Sequence, residues 1–260
     1  MLSYKTYAKK PDWGEKYKDG DVKIVKYYDH SWDDMFSRLF SDERMKLIID
    51  RLSSDVKKES LIYPKPEFVL HAFLLTALSS LKVVFIGQDP YFNFREVNDV
   101  KVPEAYGLSF SVPCGVPIPS SLSSIFNNLV KNKHMSHKPE NGCLDFWAYQ
   151  GCLMLNTALT VIDKQIKIHS GIWKWFTDYV IKYISSNKDY LIFVLWGADA
   201  FEKTKLIDLD KHDAIITSHP SGRSADKPLK GFPAFNDFDH FGEINTLLKK
   251  KKMTPIIWQL

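Results

Sequence analysis

The sequence predicts an α/β protein: one domain built on a central four-stranded, parallel, twisted sheet with helices on both faces. Three observations predict it. Four short apolar runs, residues 83–86, 153–155, 191–196 and 214–217, stop at a glycine or a polar residue, as buried strands do. Helical stretches follow the strands, which makes the connections crossovers and the strands parallel. The chain has 260 residues and a hydrophobic fraction of 45%, enough for one large core.

Residues 1–30 are polar, rich in Lys and Tyr and weakly periodic, and read as an extended or partly ordered N-terminal arm ahead of a domain at 31–260. Ser31 has the character of an N-cap, with Asp34 three residues on. Trp32, Met35, Phe36, Leu39 and Phe40 then follow at helical spacing, and a second helix is expected over 42–52. Tyr63-Pro64-Lys65-Pro66 is a stiff connector, and Pro66 suits the first turn of a helix that carries Phe68, Val69, Ala72, Phe73 and Leu75 and ends near Ser79-Ser80.

The first strand follows and breaks at Gly87 into Gln88, Asp89, Pro90 and Tyr91. A polar loop after the carboxyl end of a buried parallel strand is where open α/β sheets bind ligands. Pro90 biases Asp89 toward an extended backbone. Asp-Pro is equally a common turn pair, so a turn aspartate and a catalyst both stand at this point.

Residues 92–105 form a polar insertion without a period, and 107–112 alternate as a short extended piece. Pro113, Pro117 and Pro119 stiffen a loop ending in Ser120-Ser121. The next helix has Leu122, Ile125, Phe126 and Leu129 on one face. Its hydroxyl-rich start suits a phosphate, and ordinary capping explains the serines equally well. Residues 147–150 close a short helix before the second strand, which ends at Asn156-Thr157. A helix over 172–184 turns Trp173, Phe176, Val180 and Ile184 inward as core. The third strand ends at Gly197 and the fourth at Ser218-His219-Pro220. A helix over 243–250 closes the domain, and Lys249 to Lys252 are a solvated helix end whose charge suits the dipole.

The net charge of +4 and pI near 8.7 are compatible with a polyanionic partner without requiring one. Cys114, Cys143 and Cys152 are odd in number and lack CxxC spacing, which argues against a disulfide framework and a zinc site and for a reducing compartment. With no apolar leader at its start and no membrane-length apolar run, the chain reads as intracellular, soluble and without a membrane partner. Three strand ends carry a distinctive polar residue: Asp89, Asn156 and His219. In a parallel sheet these converge on one edge, and together they read as a site.

These residues lie in motifs that resemble the family 1 uracil-DNA glycosylases. GQDPY at 87–91, GLSFSV at 107–112, LMLNTALTV at 153–161, FTDYVI at 176–181, LWG at 195–197 and HPS at 219–221 occur in the family's order, and the likeness covers residues 31–260. It implies a DNA repair enzyme that flips uracil from DNA and hydrolyses its N-glycosidic bond, leaving an abasic site. By the same likeness Asp89 is the carboxylate that stabilises the cationic sugar and orients water, and His219 the donor to uracil O2. Phe110 stacks on the base, Asn156 pairs with its edge, Tyr91 crowds C5 against thymine's methyl, and the Gln88 backbone adds pocket hydrogen bonds. Three loops are expected to grip phosphates: Pro119, Ser120 and Ser121; Gly197 and Ala198; and Ser221, Gly222, Arg223 and Ser224. No metal or cofactor is implied. The implied partners are uracil-containing DNA, single- or double-stranded, with replication or repair proteins or a proteinaceous DNA-mimic inhibitor beside it, and the implied state is a monomer.

The chain departs from the family pattern where Phe92 replaces a histidine, where the spacer from Phe92 to Gly107 is longer, where Ala198 replaces a serine and where Arg223 replaces a leucine wedge. The GFPAFNDFDHF stretch after that loop is also irregular for the family. Phe92, Ala198 and Arg223 motivate an alternative, a DNA-binding or replication-accessory module with weakened catalysis on the same fold. A glycosylase for another modified pyrimidine is a further alternative, against which Tyr91, Phe110 and Asn156 argue.

Overall fold

Backbone hydrogen bonds in the computed structural model, which describes residues 2–260, join four strands into one parallel sheet in the order Cys152–Asn156, Val83–Gly87, Ile192–Trp196, Asp213–Thr217. The first three are buried along their whole length, which is why they read as unbroken apolar runs rather than alternating ones. Val83 is level with both Cys152 and Ile192, and Ile192 with Asp213. The carboxyl ends are therefore level too: Gly87 lies opposite Asn156, and Trp196 opposite Thr217.

Alternate strand residues divide between two cores, because successive side chains point to opposite faces. Val84, Ile86, Leu153, Leu155, Phe193 and Leu195 face the core shared with helices Asp33–Ser41, Met45–Lys57 and Ser170–Asn187. Val83, Phe85, Met154, Ile192, Val194 and Trp196 face the core shared with helices Ser120–Lys131, Asp145–Tyr149 and His240–Lys250. The predicted architecture, helices on both faces of a four-stranded parallel sheet, is the observed one.

Local differences have local causes. The second helix starts at Met45 rather than 42, because the Asp42 carboxylate accepts the Arg44 N–H at 2.9 Å and closes a turn first. Asp29, not Ser31, caps the turn at His30–Trp32: its carboxylate accepts the Ser31 N–H at 2.9 Å. The Ser31 hydroxyl instead accepts the Leu78 N–H at 2.8 Å. The helix expected from Pro66 splits into a 3-10 turn, Pro66–Phe68, and a short α-helix, His71–Leu75. The insertion at 92–105 holds an antiparallel hairpin, Phe94–Val97 with Val100–Pro103. Asn98 and Asp99 turn it with φ of 50° and 62°, the left-handed pair that matches strand twist in a two-residue hairpin loop. Residues 107–112 form no strand, since Gly107 at φ 94° and Phe110 at φ 62° bend the chain.

Residues 2–30 carry helices Tyr4–Ala8 and Trp13–Lys16. They bury Tyr7 in one core and Trp13, Val22 and Ile24 in the other, at spacings too irregular to register as a period. Trp13 Nε1–H donates to the Pro64 carbonyl at 2.8 Å, and the Tyr7 hydroxyl donates to the Ala105 carbonyl at 2.6 Å. Among the described residues no helix is long and apolar enough to cross a membrane.

Candidate active site

Each strand of the sheet delivers one polar residue or loop to the carboxyl edge, and local chemistry holds each there. After Val83–Gly87, the Gly87 carbonyl accepts the Thr157 N–H at 3.0 Å. The Gln88 carbonyl accepts the Ala158 N–H at 3.0 Å and the Thr157 hydroxyl at 2.8 Å. The loop bearing Asp89 is thereby laced to the loop after Asn156. Thr157 is tied in turn to the helix behind, its carbonyl accepting the Thr177 hydroxyl at 2.8 Å.

Asn156 is 5% exposed, and among the described residues its amide has no hydrogen-bond partner. A buried amide left open is costly unless a ligand completes it. Gly87 makes room for it: a Cβ at Gly87 would stand 2.3 Å from Asn156 Oδ1 and 2.8 Å from Ser109 Cβ.

Phe110 is held at its left-handed φ by packing and by the Tyr91 hydroxyl, which donates to the Phe110 carbonyl at 3.1 Å. Its ring meets Trp196 edge to face, with centroids 5.3 Å apart, and lies 6.0 Å from the His219 ring. Tyr91 is thus part of the wall that sets Phe110. Phe92, the next residue, packs with Phe94 on a small cluster of Tyr63, Ala105 and Val161.

His219 follows the last strand through Ser218, whose hydroxyl donates to the Ser224 carbonyl and accepts the Phe235 N–H, both at 2.9 Å. The Ser221 N–H donates to His219 Nδ1 at 3.0 Å. A neutral imidazole with Nδ1 accepting carries its proton on Nε2. Burial holds the His219 pKa below its ordinary value, against the opposing pull of Asp199, so the neutral form is favoured. Gly197, at φ 95°, passes close under this ring: a Cβ there would lie 3.1 Å from His219 Cβ.

Asp89 is half-buried, and burial pushes its pKa up. Ser170 Oγ–H donates to Asp89 Oδ1 at 3.0 Å, and the Lys167 backbone N–H and ammonium also favour the carboxylate. Asp199 works the other way.

Gln88, Trp196, Gly197, Ala198, His219, Ser221, Ser224 and Lys227 line a cavity of about 420 Å³. A second, of about 400 Å³, lies beyond Gln88 and is bordered by Thr157, Lys167, Ser170 and Asp199. A third, of about 470 Å³, lies between the N-terminal segment and the hairpin and includes none of the predicted site residues. Of the predicted phosphate-gripping residues, Gly197, Ala198, Ser221 and Ser224 line the first cavity, whereas Gly222 and Arg223 are exposed on the loop beside it. Pro119, Ser120 and Ser121 open the helix Ser120–Lys131 and line none of these cavities. Sequence reasoning missed Ser170, Lys167, Asp199, Trp196 and Lys227. Trp196, at a strand end, had a readable signal, while Ser170 and Lys167 reach the site only through packing.

The set supplies a carboxylate, a neutral N–H donor, an open amide and an aromatic face around one edge of the sheet. That combination can hold a flat polar heterocycle and support a transition state with opposite charges on its two halves.

The uracil DNA glycosylase superfamily model matches residues 75–249 of this chain. A probable uracil-DNA glycosylase of Acanthamoeba polyphaga mimivirus is 36% identical, covering 95% of this chain and 70% of that protein. The uracil-DNA glycosylase of Helicobacter hepaticus is 42% identical over 78% of this chain and 83% of its own length. The crystal structure of mimivirus uracil-DNA glycosylase superposes with a TM-score of 0.90 at 37% identity, covering 96% of this chain and 94% of that one. A mutant of mimivirus UNG in complex with UGI superposes with a TM-score of 0.93 at 36% identity, covering 100% and 99%.

Proposed function

This chain belongs to the uracil DNA glycosylase superfamily, and on that premise we propose that it is a family 1 enzyme that removes uracil from DNA. It flips the nucleotide out of the stack and hydrolyses the N-glycosidic bond, releasing uracil and leaving an abasic site. Residues 31–260 act as the catalytic domain, and residues 2–30 pack into both of its cores.

As the bond breaks, the sugar becomes cationic and the base anionic. Asp89, ionised, stabilises the sugar and orients the water. His219 donates its Nε2–H to uracil O2 as negative charge builds there, an interaction worth about 3–4 kcal/mol of barrier. Asn156 offers one donor and one acceptor to the uracil edge, which cytosine's edge mismatches. Phe110 stacks on the ring, Tyr91 crowds C5, and the Gln88 backbone closes the pocket. DNA phosphates are gripped by Pro119, Ser120 and Ser121, by Gly197 and Ala198, and by Ser221, Gly222 and Ser224. Ala198 brings no side-chain donor, and Arg223 plugs the gap left by the flipped base or takes a phosphate. The mimivirus neighbour in complex with UGI supports a protein inhibitor as a further partner.

The observation that carries this reading is His219: its Nδ1 is occupied by the Ser221 N–H, which leaves Nε2 as a neutral donor on a ring whose centroid lies 6.0 Å from that of Phe110. The test is a uracil-containing oligonucleotide incubated with the protein and then treated with alkali. Cleavage at the uracil is expected, and intact oligonucleotide at high protein concentration would refute the reading.

A further inference from the structure

Among the described residues, one side chain donates a hydrogen bond to Asp89: Ser170, whose Oγ lies 3.0 Å from Oδ1 across 81 residues of sequence. Ser170 is the first residue of the 18-residue helix Ser170–Asn187. The residue before it is held through its side chain.

His169 is 0% exposed and both its ring nitrogens are engaged: Nε2 lies 2.9 Å from Asp55 Oδ2, and Nδ1 lies 2.9 Å from Thr160 Oγ1. The direction of this chain follows from its end. The Trp173 indole N–H, which can only donate, lies 2.7 Å from Thr160 Oγ1. Thr160 accepts from Trp173, and because a neutral His169 ring keeps its proton on Nε2, facing the Asp55 carboxylate, the Thr160 hydroxyl gives its own proton to His169 Nδ1. His169 then donates Nε2–H to Asp55, whose carboxylate also accepts the Arg51 Nε–H at 2.7 Å. Both His169 ring nitrogens, the Thr160 hydroxyl and the Trp173 N–H are thereby matched in one sense. Burial holds the His169 pKa below its ordinary value, which preserves the neutral tautomer. Buried networks that are fully satisfied are rigid and specify one geometry.

We propose that Ser170 is a positioning residue for the glycosylase reaction, its hydroxyl aiming and holding the Asp89 carboxylate, and that the buried Asp55–His169–Thr160–Trp173 chain sets that hydroxyl in place. The inference rests on the reading that Asp89 acts in uracil release. The other charged groups facing Asp89 are Lys167 and Asp199, an exposed pair with Nζ 3.3 Å from the carboxylate oxygen, and mobile charges of that kind do not fix a rotamer. The Lys167 backbone N–H is the other donor. A carboxylate that loses its one side-chain donor is held by that contact alone and is freer to turn about its own side-chain bonds, and misplacement of a reacting group by about 1 Å can cost on the order of a hundredfold.

The experiment compares wild type, Ser170→Ala and Ser170→Thr in steady-state uracil release across pH, with thermal melting of each. Ser170→Ala is expected to lower kcat by about tenfold to a hundredfold. KM for the oligonucleotide should stay within about twofold, because the proposed role of the hydroxyl is to hold Asp89 and not to bind DNA. The acid limb of kcat/KM should move to higher pH, since the lost donor favoured the ionised carboxylate. Ser170→Thr, which keeps the hydroxyl, should restore both. Wild-type kcat with an unmoved acid limb in Ser170→Ala overturns the proposal. So does equal impairment of both variants without a limb shift, which marks a packing role. A wild type that releases no uracil removes the functional reading itself, and the inference with it.

Discussion

Replacing His219 with Leu tests the proposed donor directly. Leucine is apolar and of similar reach, so it occupies the space beside Phe110 and Trp196 without a proton to give. Two hydrogen-bonding functions disappear. The first is the acceptor for the Ser221 N–H at 3.0 Å. Ser221 is half-buried, so water can take over this role and the stability loss should stay near 1 kcal/mol. The second is the Nε2–H aimed at the departing base. A preorganised donor to a developing anion is worth about 3–4 kcal/mol, and each 1.36 kcal/mol is tenfold in rate, so kcat should fall by about two to three orders of magnitude. KM for uracil-containing DNA should change by less than about threefold, because the bond strengthens only as charge develops. Single-turnover release of labelled uracil, followed by alkaline cleavage, separates the chemical step from product release. A rate within tenfold of wild type, in a variant that melts normally, would refute the assignment of His219 as the donor.

Asp89→Asn should lower kcat at least as strongly while leaving the fold intact, checked by circular dichroism beside the same assay. Because burial raises the Asp89 pKa above 3.8 and depresses that of His219 below 6.5, kcat/KM should climb with pH through an acid limb above the ordinary carboxylate range and stay level from about pH 6.5 to 8. A decline on raising pH across that window, as from loss of a histidinium, would contradict a neutral donor. Gly87→Ala should disable uracil release while the chain still folds, since its Cβ would meet Asn156 Oδ1 at 2.3 Å and push the amide aside; overpacking of this kind costs about 1–3 kcal/mol, readable by urea unfolding. Burial depresses His71 and His240 from 6.5 to about 4, so the unfolded chain binds more protons between those values. Stability should therefore fall as pH drops from 6.5 toward 4, by at most on the order of 3 kcal/mol for each histidine, and His240→Gln should flatten the urea-denaturation profile over that range.

Three of the four strands were legible in the sequence because a strand buried on both faces needs an unbroken apolar run, a local requirement; the fourth, at the sheet edge and only partly buried, still carried a short apolar run. The residues standing just past those runs, Gln88, Asp89, Asn156, Gly197 and His219, could be named for the same reason, and the ordered motifs around them carried the family. Local rules also account for the misses nearby. Gly107 and the left-handed φ of Phe110 bend a segment whose alternation looks extended. Asn98-Asp99 turns a hairpin whose strands, exposed along much of their length, carry little apolar period. The burial of Tyr7 and Trp13 left no pattern, since two anchors spaced six residues apart make no stripe.

Asp89 shows where sequence reading stops. Its place at the end of a strand follows from residues 83–91 alone. Its environment depends on Ser170 from a helix start, Lys167 from a left-handed turn and Asp199 from the short helix Ala198–Phe201 after another strand. None of these has a spacing that points at Asp89, because the distance between them is set by how the helix packs on the sheet and not by the chain between. The sequence by itself determined the sheet, its polar edge and the family. Only the tertiary structure decided which side chains hold that edge in position, since a hydrogen bond across 81 residues is a property of the packed core that brings its two ends together.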